Sequence, residues 1–384
     1  MRKTGQQLRI ALVTDWFAPR RGGIESQLLG LAQALGRAGA VTEVITCLPG
    51  PANVEGVAVT RLDWPLVPGA KVAMPFGLER RLRAVLSAGN HDVVHVHPSV
   101  VAPFCLAGAR AARALSLPLL VTFHSSMVTL PRTLHLAERM FGWTSGKVVL
   151  SGVSHAIARQ IACIDPHMVP LVLPNGFDDG FWMSERDRQP PSPGEPFRIA
   201  AAMRLEATKR PLALVSAFAQ ARQIAGNAGG PDLHLTIAGE GSHVGRLRRA
   251  VAGMGLAGHV DLVGWLNRDS LRGLYQRSHA FLSASTKEAF GIAGLEARAS
   301  GLPVVARAGT GMSDYLDDGQ DGFLAGSDTE LAQGLARLAL QPDLLERMSG
   351  PRPALARFGW DAVAARHLEI YEGLAGAPWP EAGA

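Results

Sequence analysis

The sequence predicts an α/β protein made of two doubly wound domains, each a parallel sheet with helices on both faces. Three observations predict it. Apolar runs of strand length alternate with helical patterns along almost the whole chain, which is how a parallel sheet with crossover helices reads in sequence. The chain has 384 residues, more than one ordinary hydrophobic core takes up. Residues 179–196 are rich in charge and Pro and read as a linker. The expected domains are therefore 1–178 and 197–358, with 359–384 to follow.

Composition narrows the class. With 47% hydrophobic residues, 43 Gly and 25 Pro, the chain is a turn-rich soluble α/β protein, and disorder is excluded. Three isolated cysteines, Cys47, Cys105 and Cys163, argue against a disulfide framework and for a reducing compartment, with the cytoplasm as the expected location. Met1 to Arg9 carries charge, and Asp15 and Arg20 interrupt the apolar run behind it, so no signal peptide is read. The longest uncharged stretch, Val93 to Ala109, is broken by Pro98 and Pro103 and is not a transmembrane helix. A net charge of +5 and a pI near 9.4 suit nucleoside diphosphates, a lipid headgroup surface or nucleic acid, although charge by itself reads first as solubility alone. Trp and Tyr are too sparse and the cations too dispersed for a nucleic-acid partner.

The first half begins with a strand, Leu8 to Thr14, ending at Asp15. A loop to Gly23 and a helix from Ile24 to Leu35 follow, with apolar positions at 24, 28, 31 and 35. Gly22-Gly23 at the helix start lets backbone approach a ligand, although a double glycine is equally a tight turn. Strands are expected at Val41 to Thr46, Val57 to Leu62, Val93 to His97, Leu119 to Phe123 and Val148 to Leu150. Helices are expected at Gly77 to Ser87, Ala102 to Leu115 and 134–141. His95 and His97 share one strand face, and with no third ligand in reach they read as structural or cleft-lining. His124 directly follows a strand, where a doubly wound sheet delivers side chains to a ligand, although a histidine at a strand end, taken alone, reads first as a satisfied interior group. Residues 74–86 carry Arg80, Arg81 and Arg83 among Phe76, Leu78, Leu82, Val85 and Leu86. That is a basic amphipathic helix, read first as a covering helix with a solvated face and second as a contact for an anionic membrane, together with 133–143.

A helix from Gly152–Ala156 to about Cys163 and a Pro174-Asn175-Gly176 turn close the first half. The second opens with a strand, Phe197 to Met203, then Arg204 and, five positions on, Lys209, ahead of a helix through Arg222. Two cations after one strand end can both reach a diphosphate, the guanidinium by paired hydrogen bonds and the ammonium as a point charge. Leu233 to Ala238 ends in Gly239-Glu-Gly241, before a helix from Val244, and Val260 to Val263 runs into Gly264-Trp-Leu-Asn267. A strand from His279 to Ala284 then opens through a glycine-containing loop onto a helix from Ala293. Peptide N–H groups at such a junction lack intrahelical partners, which makes an anion site. Glu288 stands in the loop and Glu296 on the helix. Acceptors for hydroxyls beside donors for phosphate suit a sugar nucleotide. A strand from Leu302 to Ala306, helices from Thr329 and Leu344, and a final amphipathic helix from Val363 to Tyr371 complete the chain.

Glu288-Ala-Phe290-Gly291-Ile292 with Glu296 resembles the Glu-x7-Glu hallmark of the retaining glycosyltransferases of family 4, which have the GT-B fold. The resemblance runs from Ile10 to Tyr371. Thr122-Phe-His-Ser125 matches the family's T-x-H-S, Pro174-Asn-Gly176 with Asp178 its P-N-G-x-D, and Arg204-Leu205 with Lys209 its R-L-x-x-x-K, Met203 replacing a glycine. It implies two Rossmann-like domains facing across a cleft, with the closing helix, 359–384, crossing back to the first. The first would bind an acceptor glycan or lipid-linked acceptor, the second a nucleotide-sugar donor.

By that resemblance Glu288, His124, Arg204 and Lys209 are the catalytic candidates. Gly22, Gly23, Arg204, Lys209, Gly239, Phe290, Gly291, Ile292 and Glu296 would bind the donor, with Glu296 on the ribose. No Asp-x-Asp occurs, so no metal site or cofactor is expected, and Asp314 is given no catalytic role. Glu288→Gln is expected to lower turnover with modest loss of nucleotide binding. The inner face of the membrane is a candidate peripheral location. Two rivals remain: a sugar-nucleotide epimerase of the same fold, which needs no acceptor, and a non-catalytic sugar-nucleotide binding protein.

Overall fold

A computed structural model describes residues 7–20, 22–68, 72–99, 101–126, 148–163, 169–183, 191–192 and 194–376. The expected helix 134–141 and the segment 133–143 lie outside them. Two compact units emerge, Met1–Phe177 with Arg357–Ala384, and Asp178–Ala356.

The first unit's strands are, in chain order, β1 (Arg9–Thr14), β2 (Val41–Thr46), β3 (Asn53–Val54), β4 (Val57–Arg61), β5 (Leu66–Val67), β6 (Val72–Ala73), β7 (Val93–His97), β8 (Leu119–Phe123), β9 (Val148–Gly152) and β10 (Leu171–Val172). The main sheet has the order β10-β9-β8-β7-β1-β2-β4-β3, parallel apart from the β3–β4 hairpin. β7 and β8 are buried at every position, as a central parallel strand covered on both faces must be. Helices α1 (Gly23–Arg37), α2 (Leu78–Ala88), α3 (Pro103–Ala114) and α4 (His155–Ile161) belong to this unit. The sequence reading started α4 too early. Gly152 closes β9, and Ser154 caps the helix by accepting the Ile157 N–H at 3.3 Å.

The unit's last helix, Trp360–Gly376, packs on α1. Its Trp360 ring lies so close to Gly30 and Gly176 that a Cβ at either glycine would collide with it. Farther along, Tyr371 shares a 2.6 Å hydrogen bond with His95 Nδ1 inside the core.

In the second unit the strands are β11 (Phe197–Ala202), β12 (Leu233–Ala238), β13 (Val260–Gly264), β14 (Ala280–Ser283), β15 (Val304–Arg307) and β16 (Gly322–Ala325). They form an all-parallel sheet ordered β13-β12-β11-β14-β15-β16. Helices α5 (Asp179–Trp182), α6 (Pro211–Asn227), α7 (Val244–Gly253), α8 (Arg268–Gln276), α9 (Ile292–Ala299), α10 (Asp328–Leu340) and α11 (Pro342–Met348) flank it. Phe197, Ile199, Leu214, Phe218, Leu235, Ile237, Leu331 and Leu335 make up the core between sheet and helices.

The linker needs a correction. Its first residues form α5, whose Trp182 is buried, with its ring 5.7 Å from that of Tyr275. An aromatic pair in a charged, Pro-rich stretch was the overlooked signal. Helix α8, the short pair β5–β6 and strand β16 were also not read from sequence. No helix among the described residues is long and apolar enough to cross a membrane.

Candidate active site

In a doubly wound sheet, ligands gather beyond the carboxyl ends of the two strands where the winding reverses. In the second unit these are β11 and β14, which lie side by side. The chain leaves β11 through Arg204 to a single 3-10 turn, Ala207–Lys209, and leaves β14 through the Glu288 loop to α9. The fold thus brings two distant segments to one point. Lys209 Nζ and Glu288 Oε2 are 2.6 Å apart, with side chains 20% and 17% exposed.

The neighbouring Arg210 was missed by the sequence reading. Its guanidinium holds Asp328 in two bonds, 2.6 and 2.9 Å, and donates to Ala284 O at 3.0 Å. It thereby fixes the start of α6 to the end of β14, one residue from Lys209. Its own backbone has φ +53°, an uncommon conformation for a side chain of this size.

Arg204 is exposed, and its charge contributes to holding the Glu206 carboxyl below its usual range, after the hydrogen bonds that Glu206 accepts from Ser242. Gly239 follows β12 with φ +138°, and a Cβ there would overlap the Met203 carbonyl.

At the start of α9, Gly291 adopts φ +87° and caps the helix in the left-handed region that glycine tolerates. Its carbonyl accepts from Gly294 N–H at 2.9 Å and Leu295 N–H at 3.1 Å. By helix geometry the amides of Ile292 and Ala293 have no intrahelical partner and are the donors of the helix end. Phe290 is buried beneath the loop, its ring 5.5 Å from that of Tyr315. Glu296, one turn into the helix, is half-buried. Burial pushes its carboxyl up to about 8, an effect that Arg268 partly offsets.

Gly22, Gly23 and His124 belong to the first unit. Gly22 precedes α1 in extended conformation, with the Glu25 carboxyl close beneath it and paired to Arg20 at 2.8 Å. His124 stands at the end of β8 with Nε2 2.9 Å from His97 Nδ1. Its Nδ1 and the Nε2 of His97 are buried with no hydrogen-bond partner of good geometry among the described residues. Both rings line a small cavity of about 20 Å³ with Gln27, Asn175 and His367, which is room for one water. Burial lowers the His124 imidazole to about 4, so the ring is neutral and turned inward. His95 and His97 are likewise buried and structural. Gln27 donates to and accepts from the Gly176 backbone, both at 2.8 Å, which ties the Pro-Asn-Gly turn to α1.

The apolar stripe of α2, Leu78, Leu82 and Leu86, is buried against the protein. Arg80, Arg81 and Arg83 face outward beside Phe76, 87% exposed. Among the described residues, no group of three or more His, Cys, Asp or Glu side chains is placed to hold a metal ion.

Two doubly wound α/β units with parallel main sheets define the class, the GT-B fold. A model for group 1 glycosyl transferases matches residues 183–350, and one for glycosyltransferase family 4 matches residues 21–181. The chain belongs to the family 4 glycosyltransferases and is an enzyme of that kind. It is 25% identical to the phosphatidyl-myo-inositol mannosyltransferase of Propionibacterium freudenreichii, over 95% of this chain and 94% of that one. It is 27% identical to the GDP-mannose-dependent alpha-(1-6)-phosphatidylinositol monomannoside mannosyltransferase of Mycobacterium tuberculosis, over 95% and 98% of the two chains. The fold matches that of Anabaena HepE, solved with UDP and glucose, at TM-score 0.75 and 18% identity, covering 96% of this chain and all of that one.

Proposed function

We propose that the protein moves a sugar from a nucleoside-diphosphate sugar to an acceptor hydroxyl with retention of anomeric configuration. The observation that carries this reading is the Lys209–Glu288 contact beside the open amides of α9, a cation and helix donors set against a carboxylate. In the transfer, the bond from the anomeric carbon to the diphosphate oxygen breaks and one to the acceptor oxygen forms. The acceptor's proton passes to the departing phosphate. Charge that grows on that phosphate is met by Lys209, Arg204 and the Ile292 and Ala293 amides, and groups fixed in advance lower the barrier. This set supplies the positive potential without a divalent metal. Glu288 would hold sugar hydroxyls and support the oxocarbenium-like ring, and Glu296 the ribose. With its ring turned inward, His124 would act through its backbone carbonyl. The names of the curated relatives support a lipid-linked acceptor, and the outward basic face of α2 with Phe76 supports contact with an anionic membrane.

The test is a screen of UDP, GDP and ADP sugars for protection against thermal unfolding, followed by assay of diphosphate release. Glu288→Gln should lower turnover by about 100-fold or more, and equal turnover would remove Glu288 from the mechanism. Release that proceeds only when an acceptor is added separates transfer from epimerisation.

A further inference from the structure

The loop that carries Glu288 is backed by a second element, Gly311–Asp314 and Tyr315, which the family motif does not include. Gly311 N–H donates to Glu288 O at 2.9 Å. Met312 lies under Gly291, where a Cβ would come within 2.7 Å of its Cγ and Cε. The hydroxyl of Tyr315, 4% exposed, donates to Gly291 O at 2.7 Å. Gly294 leaves space for that hydroxyl, since a Cβ there would stand 2.7 Å from it. Tyr275 makes the parallel contact two residues along, donating to Ala293 O at 3.2 Å. Both buried phenols therefore hold carbonyls of the first turn of α9.

A trans peptide is planar, so its N–H points opposite to its carbonyl. Fixing Gly291 O on Tyr315 fixes the Ile292 N–H in the reverse direction, outward from the helix end. We propose that Tyr315 is a positioning residue for sugar transfer, aiming the Ile292 amide at the diphosphate through its bond to Gly291 O. This rests on the donor-site reading above. The amide interacts more strongly with the leaving phosphate in the transition state than with the bound donor, because charge accumulates as the bond breaks. Loosening it therefore costs kcat more than KM.

The experiment is a double-mutant cycle on the full chain. It is assayed by nucleoside diphosphate release from whichever UDP, GDP or ADP sugar protects the wild type. Tyr315→Phe should lower kcat about 10-fold and leave the donor KM within about 3-fold, less than the loss of a whole oxyanion donor. Gly294→Ala, whose methyl displaces the hydroxyl, should give a similar kcat loss. The double variant should be no worse than either single one, because removal of the hydroxyl makes room for the methyl. Losses that multiply to about 100-fold, or an unchanged kcat in folded Tyr315→Phe, overturn the proposal. Calorimetric titration of the wild type with UDP, GDP and ADP comes first. No binding sinks the donor-site reading and this proposal with it, whereas binding with unaltered Tyr315→Phe kinetics sinks this proposal alone.

Discussion

Burial sets the Glu296 carboxyl at about 8, so raising the pH from 7 to 9 should change how the enzyme holds its nucleotide. A group with that value is about one-tenth ionised at pH 7 and about nine-tenths at pH 9. If the ribose hydroxyls donate to a carboxylate, nucleoside diphosphate should bind roughly 10-fold more tightly at pH 9, ~1.4 kcal/mol. Binding at pH 7 should also release about 0.9 proton for each ligand bound, by the same linkage. Isothermal titration in two buffers of different ionisation enthalpy measures both quantities, and Glu296→Gln should abolish both. The stability effect runs the other way. A raised folded-state value means that the native protein binds the extra proton, so stability falls as pH rises from about 4.5 to 8 and is flat beyond. Glu296→Gln should therefore stabilise the protein at pH 9, by about 5 kcal/mol, and little at pH 4. Affinity that does not change with pH, or changes equally in Glu296→Gln, would refute the assignment of the carboxylate to the nucleotide.

Gly291→Ala forces a side chain to φ +87° and onto Met312, at a cost of about 2–4 kcal/mol from left-handed strain and overpacking. Differential scanning fluorimetry should show a fall of about 5–15 °C in the melting temperature, and a fall under about 2 °C would count against the contact. His124 and His367 are both lowered to about 4 by burial, and His95 and His97 lie well below the usual range. The unfolded chain then binds more protons between pH 6.5 and 4, so this stability is complete above about 6.5 and is lost as pH falls to 4, by about 3 kcal/mol for each freely titrating ring. A melting temperature that stays level across that window would show that the rings are not held neutral. Arg80→Glu with Phe76→Ser should weaken cosedimentation with phosphatidylglycerol vesicles by about 10-fold or more at low salt, and equal sedimentation would remove α2 from the membrane proposal.

Much of the fold was readable because parallel strands buried on both faces are continuous apolar runs. β7 and β8 are such strands and fall where the pattern puts them, as do the partly covered β2 and β12. Elements that pack by a few side chains were not readable. α5 is held by one buried Trp182, and α8 shows only Leu274 and Tyr275 to the core, amid charge. Of the candidate site, spacing supplied Lys209, Glu288, Gly291 and Glu296. It could not supply Arg210, Tyr315 or Met312, because their contacts span 24 residues in one case and 118 in another. Nothing in the sequence around Tyr315 marks its phenol as the partner of Gly291 O. His124 entered through the T-x-H-S resemblance, and its strand end alone read as an interior position; the partner its ring turns toward, His97, is visible only in three dimensions.

The Lys209–Glu288 contact changes one expectation drawn from sequence. At 2.6 Å, with each side chain about four-fifths buried, the ammonium has most of its charge compensated by the carboxylate. A diphosphate that takes up Lys209 must share it with Glu288 unless sugar hydroxyls occupy the carboxylate in exchange. A complete donor makes that exchange, whereas a nucleoside diphosphate without a sugar leaves Glu288 as a repelling neighbour of the phosphate. Glu288→Gln removes the repulsion and frees the cation. Its affinity for the bare diphosphate should therefore rise, by about 3-fold or more, since even a solvent-screened charge pair is worth up to about 1 kcal/mol, in place of the modest loss expected from sequence. Turnover in the same variant should collapse. Competitive titration with UDP, GDP and ADP reads the first quantity and diphosphate release the second. If the two move in the same direction, Lys209 and Glu288 are not exchanging partners with the donor, and the pair is a structural tie between β11 and β14.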